Sequence, residues 1–139
     1  MKKYILIVAL ICFIAVISAV YGVDGDVSIS GLNVTTDVNN AFSASHDENK
    51  TLVIIYDRDS CVYCEMFKEN VLGNVNVQKH LNDGYVVLLV DINKNPDMAG
   101  KYNVFGTPTV QFLNPDGKEI KKVEGYVGAD EFLKTLKEI

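Results

Sequence analysis

Hydrophobic and polar positions divide this chain into an apolar leader, a polar stretch and a long alternation of helical and strand patterns. Tyr4 to Val20 is an apolar run without a charge. From the start signal Thr36-Asp37, Val38, Ala41, Phe42 and Ser45 recur at helical spacing and stop near Glu48-Asn49. Leu52 to Tyr56 and Tyr85 to Val90 are short, largely β-branched apolar runs, the pattern of strands covered on both faces in the middle of a sheet. Between them, Cys61 to Val71 places Cys64, Phe67 and Val71 on one helical side, and Asn74 opens a short capped helix to Leu81. Asn95-Pro96 starts another short helix reaching Tyr102. Thr109 to Leu113 reads as a strand, Asn114-Pro115-Asp116-Gly117 as a hairpin turn, and Glu119 to Val123 as the returning strand. The last segment sets Phe132, Leu133, Leu136 and Ile139 on one stripe of a helix, with Asp130 and Glu131 at its start and Lys134 and Lys137 later, as the helix dipole favours. The pattern predicts an α/β domain with parallel pairing in its first half and an antiparallel hairpin in its second.

The leader changes where this domain is expected to work. Lys2 and Lys3 ahead of the apolar run give residues 1–22 the layout of a signal peptide or an N-terminal membrane anchor. Both readings place the rest of the chain outside the cytoplasm, in the periplasm or at the cell surface. Residues 23–35, with scattered Gly, Asp, Ser and Asn and no sustained periodicity, read as a linker, and residues 36–139 as the domain. At 139 residues, 48% hydrophobic and 22% charged, the chain suits one domain with one core and excludes disordered, collagen-like and low-complexity classes. A formal net charge of -5, with no basic run beyond Lys2-Lys3 and Lys121-Lys122, argues against a nucleic-acid partner. The absence of sustained heptads gives no reason to expect more than a monomer.

Candidate chemistry rests on Asp59-Ser60-Cys61-Val62-Tyr63-Cys64, placed directly after a strand and at the start of a helix. With Ser60 read as the N-cap, Cys61 falls in the first turn, where free backbone N–H groups and the helix dipole stabilise a thiolate. That position makes Cys61 the candidate nucleophile. Cys64, about one turn deeper on the same side, is the candidate resolving thiol. Competing readings are a zinc half-site, a purely structural disulfide and ordinary buried cysteines. The first lacks two further ligands, since only His46 and His80 are available, and the second closes too short a loop to remove much chain entropy. Cys12, inside the leader, reads as a small hydrophobe. Asp57 and Asp59 are either like charges that oppose a Cys61 thiolate or solvated loop charges.

With the Cys-x-x-Cys pair, Val104-Phe105-Gly106-Thr107-Pro108-Thr109, Asp116-Gly117-Lys118-Glu119 and Gly125-Tyr126 stand at matching separations, and over about residues 36–139 the chain resembles the thioredoxin superfamily. Within it, the Cys-Val-Tyr-Cys motif and the Val71-Leu72, Val77 and Tyr85-Val86 series are similar to exported SoxW-type proteins and to the C-terminal domain of the membrane thiol:disulfide interchange reductase DsbD. The resemblance implies a thioredoxin fold, a central mixed β-sheet flanked by helices. It implies a cis Pro108 facing Cys61 and a Thr107 backbone that pairs with an extended substrate segment. It also implies thiol:disulfide exchange on protein disulfides or dithiols with no cofactor beyond the Cys61-Cys64 disulfide, no metal, and a membrane electron donor as partner. Tyr63, between the cysteines, reads either as an exposed residue in contact with substrate or as packing on a helix edge.

Three departures qualify it. Ile55 stands where thioredoxin has a buried Asp beneath the cysteines, leaving water or Glu65 as substitutes. Ser60 replaces the usual aromatic, and Val62-Tyr63 replaces Gly-Pro. Gly125 either leaves space beside the cysteines or serves a turn. A binding or chaperone module whose Cys pair senses redox state is the alternative function.

Overall fold

The computed structural model describes residues 28–139. The expected leader, Cys12 and the first part of the linker lie outside the described residues. Helix α1 (Val38–Glu48) is followed by β1 (Thr51–Asp57), α2 (Val62–Phe67), a π-helical turn (Lys68–Leu72) and α3 (Val75–Gly84). Then come β2 (Tyr85–Asp91), α4 (Pro96–Lys101), β3 (Thr109–Leu113), β4 (Glu119–Glu124) and α5 (Ala129–Glu138).

The four strands form one mixed sheet in the order β2-β1-β3-β4. β1 pairs with β2 in parallel, Thr51 with Tyr85 through Asp57 with Asp91, and with β3 in the antiparallel sense, Ile55 opposite Val110. Helices on both faces make two cores. One gathers Val53, Ile55, Phe67, Val71, Val110, Phe112, Phe132 and Leu136, and the other Leu52, Ile54, Tyr56, Leu88, Val90 and Ala41. Odd and even residues of β1 thus point to opposite cores, and the apolar run Leu52 to Tyr56 supplies both.

Local chemistry sets the element ends. Asp37 and Asn74 cap α1 and α3 by accepting backbone N–H groups, and Pro96 opens α4 at a position that needs no donor. In the β3-β4 turn, Asn114 Oδ1 accepts from the N–H groups of Asp116 and Lys118, and Gly117 takes a φ of 79°. On α5, Phe132, Thr135 and Leu136 are buried, while Ile139, expected on the same stripe, stays exposed beyond the last turn.

Two expectations need revision. The Tyr85 to Val90 run is not in the middle of the named strands; β2 lies at the end of the four-strand order. Its open edge is covered by chain read as linker: Thr35 bridges Leu88, its N–H donates to Val87 O and its carbonyl accepts from Leu89 N–H. Leu32 is buried in the first core, and Gln78 Nε2 and Asn82 Nδ2 donate to the carbonyls of Ser30 and Gly31. The folded unit therefore starts several residues before Thr36.

Candidate functional site

The cysteines lie where β1 hands over to α2. Between them Ser60 takes the left-handed conformation, φ 60°, and cannot serve as the N-cap, which has extended backbone. The cap is Cys61 itself, φ -100° and ψ 100°, so α2 begins one residue later than the sequence suggests. Cys61 uses its own sulfur as the capping acceptor: Cys64 N–H donates to Cys61 Sγ at 3.2 Å. The Cys61 carbonyl accepts from the N–H groups of Cys64 and Glu65. Helix geometry thus aims the Cys64 N–H, shared between the Cys61 carbonyl and sulfur, and the positive end of the dipole at one sulfur.

Cys61 and Cys64 are joined as a disulfide with their Cα atoms 5.2 Å apart. Cys61 is 6% exposed and Cys64 only 2%. The two sulfurs are unequal because Cys64 faces inward with Phe67 while Cys61 sits at the helix tip.

Forty-six residues later, the loop before β3 closes over the same sulfur. Thr107 Oγ1 donates to Cys61 Sγ at 3.4 Å, and Thr107 O lies 3.7 Å from it. The Thr107–Pro108 peptide bond is cis, and Pro108 is buried. Gly125 N–H donates to Pro108 O at 2.8 Å from a φ of 81°. A Cβ on Gly125 would meet nothing within 4 Å, so its backbone angle, not space beside the cysteines, calls for glycine.

Large apolar side chains are exposed between the cysteines and in the loop before Thr107. Val62, Tyr63 and Phe105 are exposed, Phe105 by 89% and Tyr63 by 60%, and the Tyr63 ring lies 6.4 Å from that of Tyr126. The sequence singled out Tyr63; the exposure of Phe105 and Val62 has no signature in it, since an apolar residue by itself reads as core.

Beside α2 lies a charged cluster that sequence reasoning divided differently. Asp57 is not a solvated loop charge: it is buried and ion-paired with Lys68. Glu65 is exposed and binds the same ammonium at 3.1 Å. Burial works to lower the Lys68 pKa, but hydrogen bonds and charge from Asp57 and Glu65 outweigh it and hold the group above the ordinary lysine value. The spacing of Lys68 four residues after Cys64 was the available signal. Among the described residues, no group of three or more His, Cys, Asp or Glu side chains is arranged to hold a metal ion.

Comparison with known proteins accords with this geometry. A family model described as a thioredoxin-like domain matches residues 38–139. A protein disulfide isomerase-like 2-2 of Oryza sativa subsp. japonica is 32% identical over 92 residues, 66% of this chain and 24% of that protein. A thiol:disulfide interchange protein DsbD of Pasteurella multocida is 31% identical over 101 residues, 68% of this chain and 17% of that one. The chain thus spans about a quarter or less of these relatives' length. Among solved structures, a thioredoxin from Thermus thermophilus superposes with a TM-score of 0.71 at 26% identity, covering 78% of this chain and 86% of that one. The oxidised C-terminal domain of Neisseria meningitidis DsbD gives 0.64 at 20% identity, covering 76% and 98%. Family match, mixed-sheet fold and a Cys-x-x-Cys pair at the start of α2 lead to one conclusion: the chain belongs to the thioredoxin-like family.

Proposed function

We propose that this protein is an exported thiol:disulfide oxidoreductase that reduces protein disulfides, or relays electrons to them, through the Cys61-Cys64 couple. The observation that carries the reading is the convergence of two donors, Cys64 N–H and Thr107 Oγ1, on Cys61 Sγ. In the reduced protein such donors favour the Cys61 thiolate over the thiol. The thiolate attacks one sulfur of a substrate disulfide, forming a Cys61–substrate bond and expelling the other sulfur as a thiolate. Cys64 then attacks Cys61 Sγ, closes the Cys61-Cys64 disulfide and releases the second substrate sulfur. Two electrons pass to the substrate, and a partner dithiol must return them. Thr107, Pro108 and Tyr63 form the wall against which an extended substrate segment lies. That partners include a membrane electron donor, and that the domain works outside the cytoplasm as a monomer, rests on the apolar leader and the family resemblance. Among the described residues no helix is long and apolar enough to cross a membrane.

Insulin reduction by dithiothreitol tests the activity. The wild-type chain should accelerate it and Cys61→Ser should not; no acceleration by the wild type, with a Cys61→Ser/Cys64→Ser variant that still suppressed aggregation, would favour the binding module instead. Equilibration in glutathione and dithiothreitol buffers tests direction: a potential near or below about -230 mV fits a reductant, and one of about -120 to -180 mV an oxidant or isomerase.

A further inference from the structure

The second half-reaction poses a problem that the Cys61 geometry does not answer. Cys64 is 2% exposed and must lose its proton before it can attack Cys61. Burial among apolar groups disfavours a thiolate. Ile55, in the core beneath α2, offers no charge.

Charge is available one helical turn away. Residues four apart on a helix are neighbours on one face, with Cβ atoms about 5–6 Å apart, and Lys68 follows Cys64 at that spacing, its N–H donating to Cys64 O. Lys68 also opens the π-helical turn, in which Gly73 N–H donates to Lys68 O. Such turns inside α-helices are frequent at functional sites. The Lys68 side chain is fixed from below: Asp57, on the β1 face of Val53 and Ile55 that carries α2, is its ion-pair partner. A cavity of about 340 Å³ at the carboxyl ends of β1 and β2 reaches this pair, lined by Asp57, Lys68, Asp59, Asp91 and Lys94. Lys94 is paired with Asp91 at 3.6 Å, so Lys68 is the cation of this cluster on the cysteine helix.

We propose that Lys68, anchored by Asp57, is a positioning residue for the resolving step, its ammonium lowering the proton affinity of the buried Cys64 thiol. The inference rests on the redox reading of Cys61 and Cys64. In the mixed disulfide, Cys64-SH gives its proton to water, and its sulfur electron pair forms the bond to Cys61 Sγ. The Cys61–substrate bond breaks, and the substrate leaves as a thiolate that solvent protonates. The cation stabilises the transient Cys64 thiolate without touching the reacting sulfurs. Asp57 and Glu65 offset part of its field, and Asp57, Glu65, Asp59 and Asp91 are the anions that set that offset.

The test is the Cys64 13Cβ chemical shift followed from neutral to alkaline pH in the full chain carrying Cys61→Ser. Lys68→Met should raise the Cys64 pKa by about one unit, tenfold less thiolate at neutral pH. Lys68→Arg should keep it, and Asp57→Asn, which removes an anion and leaves the cation, should lower it. A Cys64 pKa unmoved by Lys68→Met, or moved the same way by Lys68→Met and Asp57→Asn, overturns the proposal. Should Lys68→Met fail to fold, Asp57→Asn decides alone, a rise or no change counting against it. Insulin reduction by the chain with both cysteines separates the two readings: activity that needs Cys61 together with an unmoved Cys64 pKa sinks only the role of Lys68.

Discussion

Thr107 donates its hydroxyl to Cys61 Sγ at 3.4 Å, joining a loop residue to a helix tip 46 positions earlier in the chain. The contact ties the cis-proline loop to the Cys61 sulfur and supplies the one side-chain donor that this sulfur receives among the described residues. A hydrogen bond to a charged acceptor contributes about 1.5–3 kcal/mol, which is about one to two units of pKa. Thr107→Val keeps the shape and removes the donor. In the reduced Cys64→Ser protein it should raise the Cys61 pKa by about one unit, read from the pH dependence of iodoacetamide alkylation at Cys61. An unchanged profile would mean that Cys64 N–H and the helix dipole suffice.

The segment around Leu32 is part of the fold, and its removal has a measurable cost. Leu32 is buried in the first core, and Thr35 extends the sheet beyond β2. Leu32→Ala should destabilise the protein by about 2–5 kcal/mol in urea unfolding. A flexible tether would give no change.

Phe132 holds α5 against the sheet and against the cysteine helix. Its ring lies 5.3 Å from that of Phe67, edge to face, and 6.2 Å from that of Phe112, fully buried. Phe132→Ala should cost about 3–5 kcal/mol by chemical denaturation, with less effect on the Cys61 pKa than Thr107→Val.

Stability should fall at alkaline pH. Burial pushes the Tyr56 hydroxyl up from its ordinary 10.0, aided by Tyr102 and Glu119, and burial likewise raises Tyr85. For Lys68, the ion pairs with Asp57 and Glu65 outweigh the burial that lowers it. Each group has a higher pKa folded than unfolded, so the folded state holds more protons and stability declines as pH rises. The contribution is complete below the unfolded values, near 10.0 for the tyrosines and 10.5 for the lysine, and is lost as pH rises through the folded ones. Urea midpoints measured from neutral to alkaline pH should drop above about pH 10, and Tyr85→Phe should flatten the fall.

Much of this was legible in sequence, for physical reasons. β1 shows because its residues feed two cores at once, so Leu52 to Tyr56 is apolar without alternation. The Cys61-Cys64 pair shows because its spacing is local, whereas the loop at Thr107 and Pro108 was read only through the family resemblance. What did not show depends on partners far along the chain. Leu32 reads as linker because its supports, Gln78, Asn82 and the β2 edge, come about 50 residues later. The cap moved from Ser60 to Cys61 because a sulfur took the acceptor role that Ser, Thr, Asp or Asn usually fills. Asp57 looked like a loop charge until Lys68, on another element, was placed beside it.

Trapping a mixed disulfide tests the central claim most directly. Insulin is incubated with the reduced Cys64→Ser and Cys61→Ser proteins, and covalent adducts are mapped by mass spectrometry after acid quenching. The account predicts that Cys64→Ser accumulates an adduct through Cys61 and that Cys61→Ser, whose remaining thiol is buried, does not. An adduct through Cys64, or none through either cysteine, would contradict it.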